Sequence, residues 1–464
     1  MDRAERLGQE RVLPLLVRFS VPAIVGMLVQ ALYNVVDRIF VGNGVGALGL
    51  AGLTVSFPVM LVQMAFSMLI GLGATALISI RFGENRQAEA EQIMGNAVGM
   101  LVLFSLVFTV LGIAFLDPLV HLLGASEAVL PYARDYLGII IYGTIFQAVS
   151  FGLNHMIRAQ GNPKIAMATM LIGAITNIVL DPIFIYLLGW GVAGAAFATV
   201  LSHFVSSIWV LSFFLRGKSQ LKLDLRRIHR IKWSYVLQII SIGFAPFAMQ
   251  LAGSLQNLIL NQSLATYGGD LAISAMGIVF SVNTIFLMPI FGINQGSQPI
   301  IGFNYGAVKY ERVKQAFLYA AAGATILSTL GFLATRFIPW QLASLFGRHD
   351  AELMNLAVQA MRIVMVTFPI IGLQIVGANF FQALGKPKQS AFLSLSRRVL
   401  LIIPLLLILP RFLGLRGVFL AYPFADAAAT VITLWFLWRE FASLDAAEFD
   451  AVNMVDGRTP QPER

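Results

Sequence analysis

The chain has 464 residues, 58% of them hydrophobic and only 12% charged, against roughly 25% charged in a soluble globular chain; its mean hydropathy is +0.79. So little polar surface excludes a soluble fold and leaves a polytopic helical membrane protein. Cysteine is absent, which excludes disulfides, thiolate metal sites and cysteine nucleophiles, and the net charge of +9 is spread over short loops, which fits membrane orientation better than nucleic-acid binding.

Met1 to Arg11 is polar, and the apolar run that follows is too long for a signal-peptide core, so no cleavable signal is expected. Apolar runs then recur over 14–41, 52–80, 92–116, 130–157, 165–188 and 192–215, and again over 235–264, 271–301, 314–337, 353–383, 389–409 and 417–438. They predict about 12 transmembrane helices and an all-α fold. Between the two sets lies a basic stretch with Arg216, Lys218, Lys222, Arg226, Arg227, Arg230 and Lys232. The expected organisation is an N-lobe over 13–215, a cytoplasmic linker over 216–234, a C-lobe over 235–439 and a disordered cytoplasmic tail over 440–464.

Lys and Arg crowd alternate loops: Arg3, Arg6 and Arg11, then Arg81 and Arg86, Arg158 and Lys164, Lys309, Arg312 and Lys314, and Lys386 and Lys388. The opposite loops hold the neutral turns Gly42–Leu50 and Leu188–Gly191 with scattered Arg134, Arg348, Arg411 and Arg416. Both termini are therefore expected in the cytoplasm. The halves repeat each other. Gln160-Gly161-Asn162-Pro163-Lys164 returns as Leu384-Gly385-Lys386-Pro387-Lys388, an offset of 224 (385 − 161), and Arg81-Phe82-Gly83 answers to Asn304-Tyr305-Gly306. Six spans per half is an even number, so two pseudo-symmetric six-helix lobes would be parallel repeats about an axis along the membrane normal.

Against this apolar background two acids stand out, Asp37 in span 1 and Asp181 in span 5. A carboxylate at the bilayer centre costs at least about 2.5–3.5 kcal/mol, and such residues mark ion or proton pathways. At the repeat offset Asp37 falls on Asn261 and Asp181 near Leu405, so the acids belong to the first half alone. Asn177 lies one turn before Asp181 on the same helix face, and Asn34 lies three residues before Asp37 with Gln30 further back. Span 4 adds Gln147 and Asn154, and span 6 adds Thr199, Ser202 and His203, all candidates for lining a polar cavity; helix-to-helix hydrogen bonding is the other use for such groups. Asp426 in span 12 reads equally as a packing acid held by neighbouring hydroxyls or as a pathway residue. Arg38 is expected to extend to the interface rather than pair with Asp37, since consecutive helix residues point about 100° apart. Gly71-Leu72-Gly73-Ala74-Thr75-Ala76 has no preceding strand and is no nucleotide loop, and His155 and His203 have no metal-ligand spacing.

The duplicated six-span architecture resembles the multidrug and toxic-compound extrusion (MATE) transporters. The resemblance rests on Tyr33-Asn34-Val35-Val36-Asp37-Arg38-Ile39-Phe40-Val41-Gly42, Arg158-Ala159-Gln160-Gly161-Asn162-Pro163-Lys164 and Asn177-Ile178-Val179-Leu180-Asp181-Pro182, and covers the chain to about residue 440. It is similar to the DinF-like and MepA-like prokaryotic branches. The resemblance implies a V-shaped pair of lobes in the cytoplasmic membrane and cation-coupled export of amphipathic, cationic drugs, with Asp37 and Asp181 as the coupling acids. Asn177 and Asn154 would be their partners and Thr199 a weaker one. The NorM-like branch adds acids in spans 7 and 10. Here those spans carry Gln256, Asn257, Asn261, Gln374 and Asn379, which moves coupling to the N-lobe.

Two adjacent carboxyls titrate as a unit and can share one proton, while Asp37, Asn177 and Asp181 together offer hard oxygens suited to Na⁺. The coupling ion is thus H⁺ or Na⁺, with no cofactor and no catalytic residue expected, and the transporter is expected to act as a monomer. The alternative is a lipid-linked precursor flippase of the same superfamily. Moving a pyrophosphate headgroup calls for several cavity bases, and the embedded ones are few: Arg38, Arg362, and Arg397 and Arg398, read as lying near a cytoplasmic end. An integral-membrane enzyme would need a catalytic cluster at one interface, and none is legible.

Overall fold

A backbone surrounded by hydrocarbon has to pair its N–H and C=O groups within its own segment, which makes each apolar run a helix. The computed structural model describes residues 5–216, 219–222, 231–345 and 351–455, and among these every regular element is helical. Nine helices are long and apolar enough to cross a bilayer, and two bent helix pairs do so jointly. One of the nine, Trp233–Gly306, has 74 residues and makes two crossings, because Gly269 (φ 64°, ψ −164°) breaks it. The sequence's twelve spans are thereby accounted for.

After a short helix Glu5–Gln9, span 1 is Val12–Gly44, span 2 Ala47–Gly83 and span 3 Gln87–Ala114. Span 4 bends by 54° between Leu130–Tyr142 and Thr144–Ala159. Span 5, Pro163–Leu187, closes in a π-helical turn over Ile183–Leu187, and span 6 is Gly191–Leu215. Trp233–Gly306 supplies spans 7 and 8, and Tyr310–Phe337 is span 9. Span 10 bends by 55° between Ala351–Val364 and Phe368–Ala383. Span 11, Pro387–Leu413, carries a π-helical segment over Ser396–Ile402, and span 12 is Leu415–Val455.

The duplication is visible in backbone geometry as well as in residues. Gly161 and Gly385 both take positive φ (79° and 70°), each ending a helix two residues before a proline that opens the next. Asn85 and Val308, at the matching turns after spans 2 and 8, share a φ of 59°. The repeated Gly83 and Gly306 serve one crossing. The Phe303 carbonyl stands where a Cβ on Gly83 would lie, and the Ile80 carbonyl where one on Gly306 would lie, so only glycine lets these backbones touch.

Packing divides the chain into two compact units. One comprises residues 21–78 and 86–251, the other residues 1–20, 79–85 and 252–464. These limits differ from the expected lobes at the starts of spans 1 and 7 and at the end of span 2. In the first unit, Gln160 Oε1 accepts from Ser219 Oγ and from the backbone N–H groups of Gln220 and Leu221, which ties down the start of the linker. Lys218, Arg226, Arg227 and Arg230 of the basic stretch lie outside the described residues, as does Arg348. In the second unit, Asn304 Nδ2 and Arg312 Nη2 both donate to the Leu7 carbonyl, which seats the N-terminal helix. Apolar side chains such as Leu103, Leu106 and Val110 on span 3 and Val431, Leu434 and Trp438 on span 12 point outward, the belt a bilayer requires.

The expected disordered tail is corrected over 440–455; its remainder, 456–464, lies outside the described residues. Span 12 stays helical through residue 440 to Val455, because bases on other spans hold its polar end: Lys386 pairs with Glu440 at 2.5 Å, and Lys314 pairs with Asp445 and Glu448. Arg38 is exposed and lies over the Phe57 ring, 5.8 Å from its centroid, and makes no ion pair with Asp37 among the described residues.

Val308 is a β-branched residue in the left-handed region and is 53% exposed, so it bears backbone strain with little packing in return. Replacing it with the residue of the matching turn, Val308→Asn, is expected to stabilise the protein by about 1 kcal/mol. Thermal unfolding in detergent checks this; an unchanged or lower melting temperature contradicts it.

Candidate functional site

Asp37, Asp181, Tyr136 and Thr199 come from spans 1, 5, 4 and 6, and at 1.5 Å per residue each lies roughly 10 Å from the helix end on one and the same side. Local sequence fixes that level. Pro182, next to Asp181, cannot donate a backbone hydrogen bond, and the helix continues past it as the π turn Ile183–Leu187. This turn docks on span 1: Tyr186 Oη donates to the Phe40 carbonyl at 2.9 Å, the two rings meet edge to face, and Gly44 admits Ile185 and Tyr186 against its backbone. Gly194 on span 6 gives Phe184 the same close approach. Asp37 and Asp181 are thereby brought face to face from helices distant in sequence.

Both acids are buried, Asp37 at 8% exposure and Asp181 at 0%. Their carboxyls are within hydrogen-bonding reach of each other. Asn177, fully buried, donates through Nδ2 to Asp181 Oδ1 at 3.3 Å and to Thr199 Oγ1 at 3.4 Å. That leaves Asp37 Oδ1, Asp181 Oδ2 and Asn177 Oδ1 as buried oxygens with no hydrogen-bond donor from the protein. Two ionised carboxyls this close repel, and a shared proton or a small cation relieves that repulsion. Among the described residues no group of three or more His, Asp or Glu side chains forms a metal-ion site, so a cation here would rely on the amide and hydroxyl oxygens as well.

Other expected site residues are placed elsewhere. Asn34 is exposed and its amide donates back to the Gln30 carbonyl of its own helix at 2.8 Å. Ser202 Oγ likewise donates to the Thr199 carbonyl at 2.7 Å. Asn154 is buried but ties span 4 to the Ala166 carbonyl of span 5 at 2.7 Å, so it is a packing link and not a partner of the acids. Gln147 accepts from Ser67 Oγ on span 2 at 3.1 Å. His203 is half-buried on span 6 outside the hydrogen bonds of the acid pair.

In the other unit, Gln256 is buried and donates to Tyr422 Oη at 3.2 Å, while Asn261 is exposed. Asp426 is 2% exposed; its Oδ1 pairs with Arg397 Nε at 2.6 Å and its Oδ2 accepts from Thr367 Oγ1 at 3.2 Å. Both earlier readings of Asp426 omitted this arginine. Arg397 and Arg398, expected near a cytoplasmic end, also require correction: they sit in the π-helical middle of span 11 and near neither end.

Sequence reasoning missed the tyrosines beside the acids. Tyr33, one turn before Asp37, and buried Tyr136 both lie within electrostatic reach of Asp37 and Asp181. The i, i+4 spacing of Tyr33 was a usable signal; nothing in span 4 singled out Tyr136.

Comparison with known proteins identifies the family. The MatE family profile matches residues 22–183 and again 246–408, starts that differ by the repeat offset. The chain is 26% identical over 423 residues to the multidrug export protein MepA of Staphylococcus haemolyticus, covering 91% of this chain and 92% of that one. Among solved structures it is similar to the MATE multidrug transporter DinF-BH in complex with R6G, with 39% identity, a TM-score of 0.88 and coverage of 95% and 98% of the two chains. It is also similar to an outward-facing MATE transporter of the MOP superfamily, at 26% identity and a TM-score of 0.89, with the same coverage. A twice-matched family profile spanning most of a twelve-span helical chain leaves one conclusion: the protein belongs to the MatE family and is a membrane transporter, not an enzyme.

Proposed function

We propose that the protein exports amphipathic, cationic drugs or toxic organic compounds across a prokaryotic cytoplasmic membrane by antiport against H⁺ or Na⁺. The observation that carries this reading is the buried Asp37–Asp181 pair with its three donorless oxygens. The pair is acceptor-rich and lacks a donor of its own, so it attracts a proton, a sodium ion or a cationic drug, and occupancy by one disfavours the others. Cation entry from outside neutralises the pair and releases the cargo; loss of the cation inward resets it. One elementary charge moving down 100 mV supplies about 2.3 kcal/mol, enough to drive a useful gradient of cargo. Similarity to the multidrug export protein MepA and to the multidrug transporter DinF-BH supports the cargo class. A single chain supplies the whole pair, which fits action as a monomer.

Asp37→Asn and Asp181→Asn are each expected to abolish export while leaving a folded protein. The check is dye export from proteoliposomes under separately imposed proton and sodium gradients, with thermal unfolding as the folding control; wild-type export rates in both variants would sink the proposal. For orientation, we place both termini in the cytoplasm. In this cysteine-free chain a membrane-impermeant maleimide should label Ser126→Cys, between spans 3 and 4, but not Gln87→Cys, after span 2, in intact cells. The reverse pattern would invert the topology.

A further inference from the structure

The second unit holds a polar cluster of the opposite character to the acid pair. Arg397 lies ten residues into span 11, about 15 Å along its helix, where the backbone leaves α geometry over Ser396–Ile402. A guanidinium at that depth is costly, and π segments inside helices concentrate at functional sites. Val399 and Leu400 carry the outward, lipid-side exposure of this segment. Arg397 turns instead toward span 12 and is 18% exposed.

Its partners do not use it up. Asp426 is engaged on both oxygens, by Arg397 Nε and by the Thr367 hydroxyl, so the carboxylate is satisfied. Arg397 spends only Nε on that contact, and its two terminal amino groups form no hydrogen bond with the described residues. Beside it, Tyr422 Oη accepts from Gln256 and keeps its own O–H proton to give. Arg398 is the next residue, its guanidinium packed over Gly253, where any side chain would collide with it. Arg397 and Arg398 bring two guanidiniums close to Tyr422, and the spare groups of Arg397 and Tyr422 are donors. A site with spare donors, excess positive charge and a saturated acceptor matches the oxygens of an anion, and a planar guanidinium fork suits a carboxylate or phosphate edge.

We propose that Arg397, oriented by Asp426 and Thr367, binds an anionic group of the transported amphiphile, so that the cargo includes carboxylate-bearing zwitterions as well as simple cations. Asp426 acts here as a positioning residue that holds Nε and aims the terminal amino groups away from itself. The inference rests on the export reading above only for the word cargo; the binding site stands on the cluster alone.

A matched dye pair tests it. Rhodamine 110 bears a free carboxylate that its methyl ester, rhodamine 123, lacks. Their binding to the full chain in phosphatidylcholine nanodiscs is measured by fluorescence polarisation, and the readout is the ratio of the two affinities. Arg397→Lys keeps the charge but loses the fork. Arg397→Gln combined with Asp426→Asn removes both charges together, so that no buried acid is stranded if a single replacement unfolds the protein. The expected result is a preference for rhodamine 110 that falls by about tenfold in both variants. It should survive addition of phosphatidylglycerol to the nanodisc. An unchanged ratio in the variants overturns the site, and displacement of rhodamine 110 by phosphatidylglycerol reassigns it to a lipid headgroup and overturns the cargo claim. Export of rhodamine 123 by the wild type in proteoliposomes is scored separately, so failure of the export reading is distinguishable from failure of this one.

Discussion

Every polar group on these helices must find its partner within the protein, because the surrounding solvent is hydrocarbon. The structure meets that constraint by economical local means. Ser and Thr hydroxyls donate to carbonyls of their own helices, as Ser56, Ser105 and Thr433 do, and longer polar side chains reach one helix across, as Gln63 does to Thr144. Against that background the facing carboxyls of Asp37 and Asp181 stand out as buried acids with donorless oxygens, and the proposed export cycle completes them with a proton or a cation. The placement of the pair depends on the π turn after Pro182, on the Tyr186 bond to span 1, and on Asn177 holding Asp181 from behind.

Gene duplication supplied two copies of one six-span frame, and the frame is preserved in its turns. The glycine turns at Gly161 and Gly385, the left-handed residues Asn85 and Val308, and the bends of 54° and 55° in spans 4 and 10 are all repeated. The chemistry inside the frame diverged. One unit leaves acceptor oxygens of Asp37, Asp181 and Asn177 without a donor, and the other leaves donors of Arg397 and Tyr422 to spare. At the repeat offset neither half carries the other's embedded charges: Asp37 falls on Asn261 and Asp181 near Leu405, while Arg397 falls on Gly173 and Asp426 on Ser202.

Membrane chains make some features easy to read. The twelve spans follow from apolar length alone, since hydrocarbon permits no other backbone. Asp37, Asp181 and Asn177 were legible for the same reason: a costly residue at a spacing of one turn from a polar partner has few explanations. Asn34 satisfied the same spacing rule, yet its amide is exposed and donates back to the Gln30 carbonyl of its own helix. The Arg397–Asp426 pair joins residues on different spans, and the π segment shifts the face Arg397 presents, so helical periodicity could not reveal it. The polar stretch beyond residue 439 read as solvated, but Lys386 and Lys314 reach it from elsewhere in the fold and keep it helical.

The central claim is that cargo and coupling ion compete for one pair of carboxyls. It is tested most directly on purified protein in weakly buffered detergent solution, by recording pH and bound radioactive sodium while a cationic dye is added. The account predicts that dye binding releases a proton, or displaces sodium when sodium is present, and that Asp181→Asn abolishes the release. Dye binding to the wild type with neither proton release nor sodium displacement would contradict it.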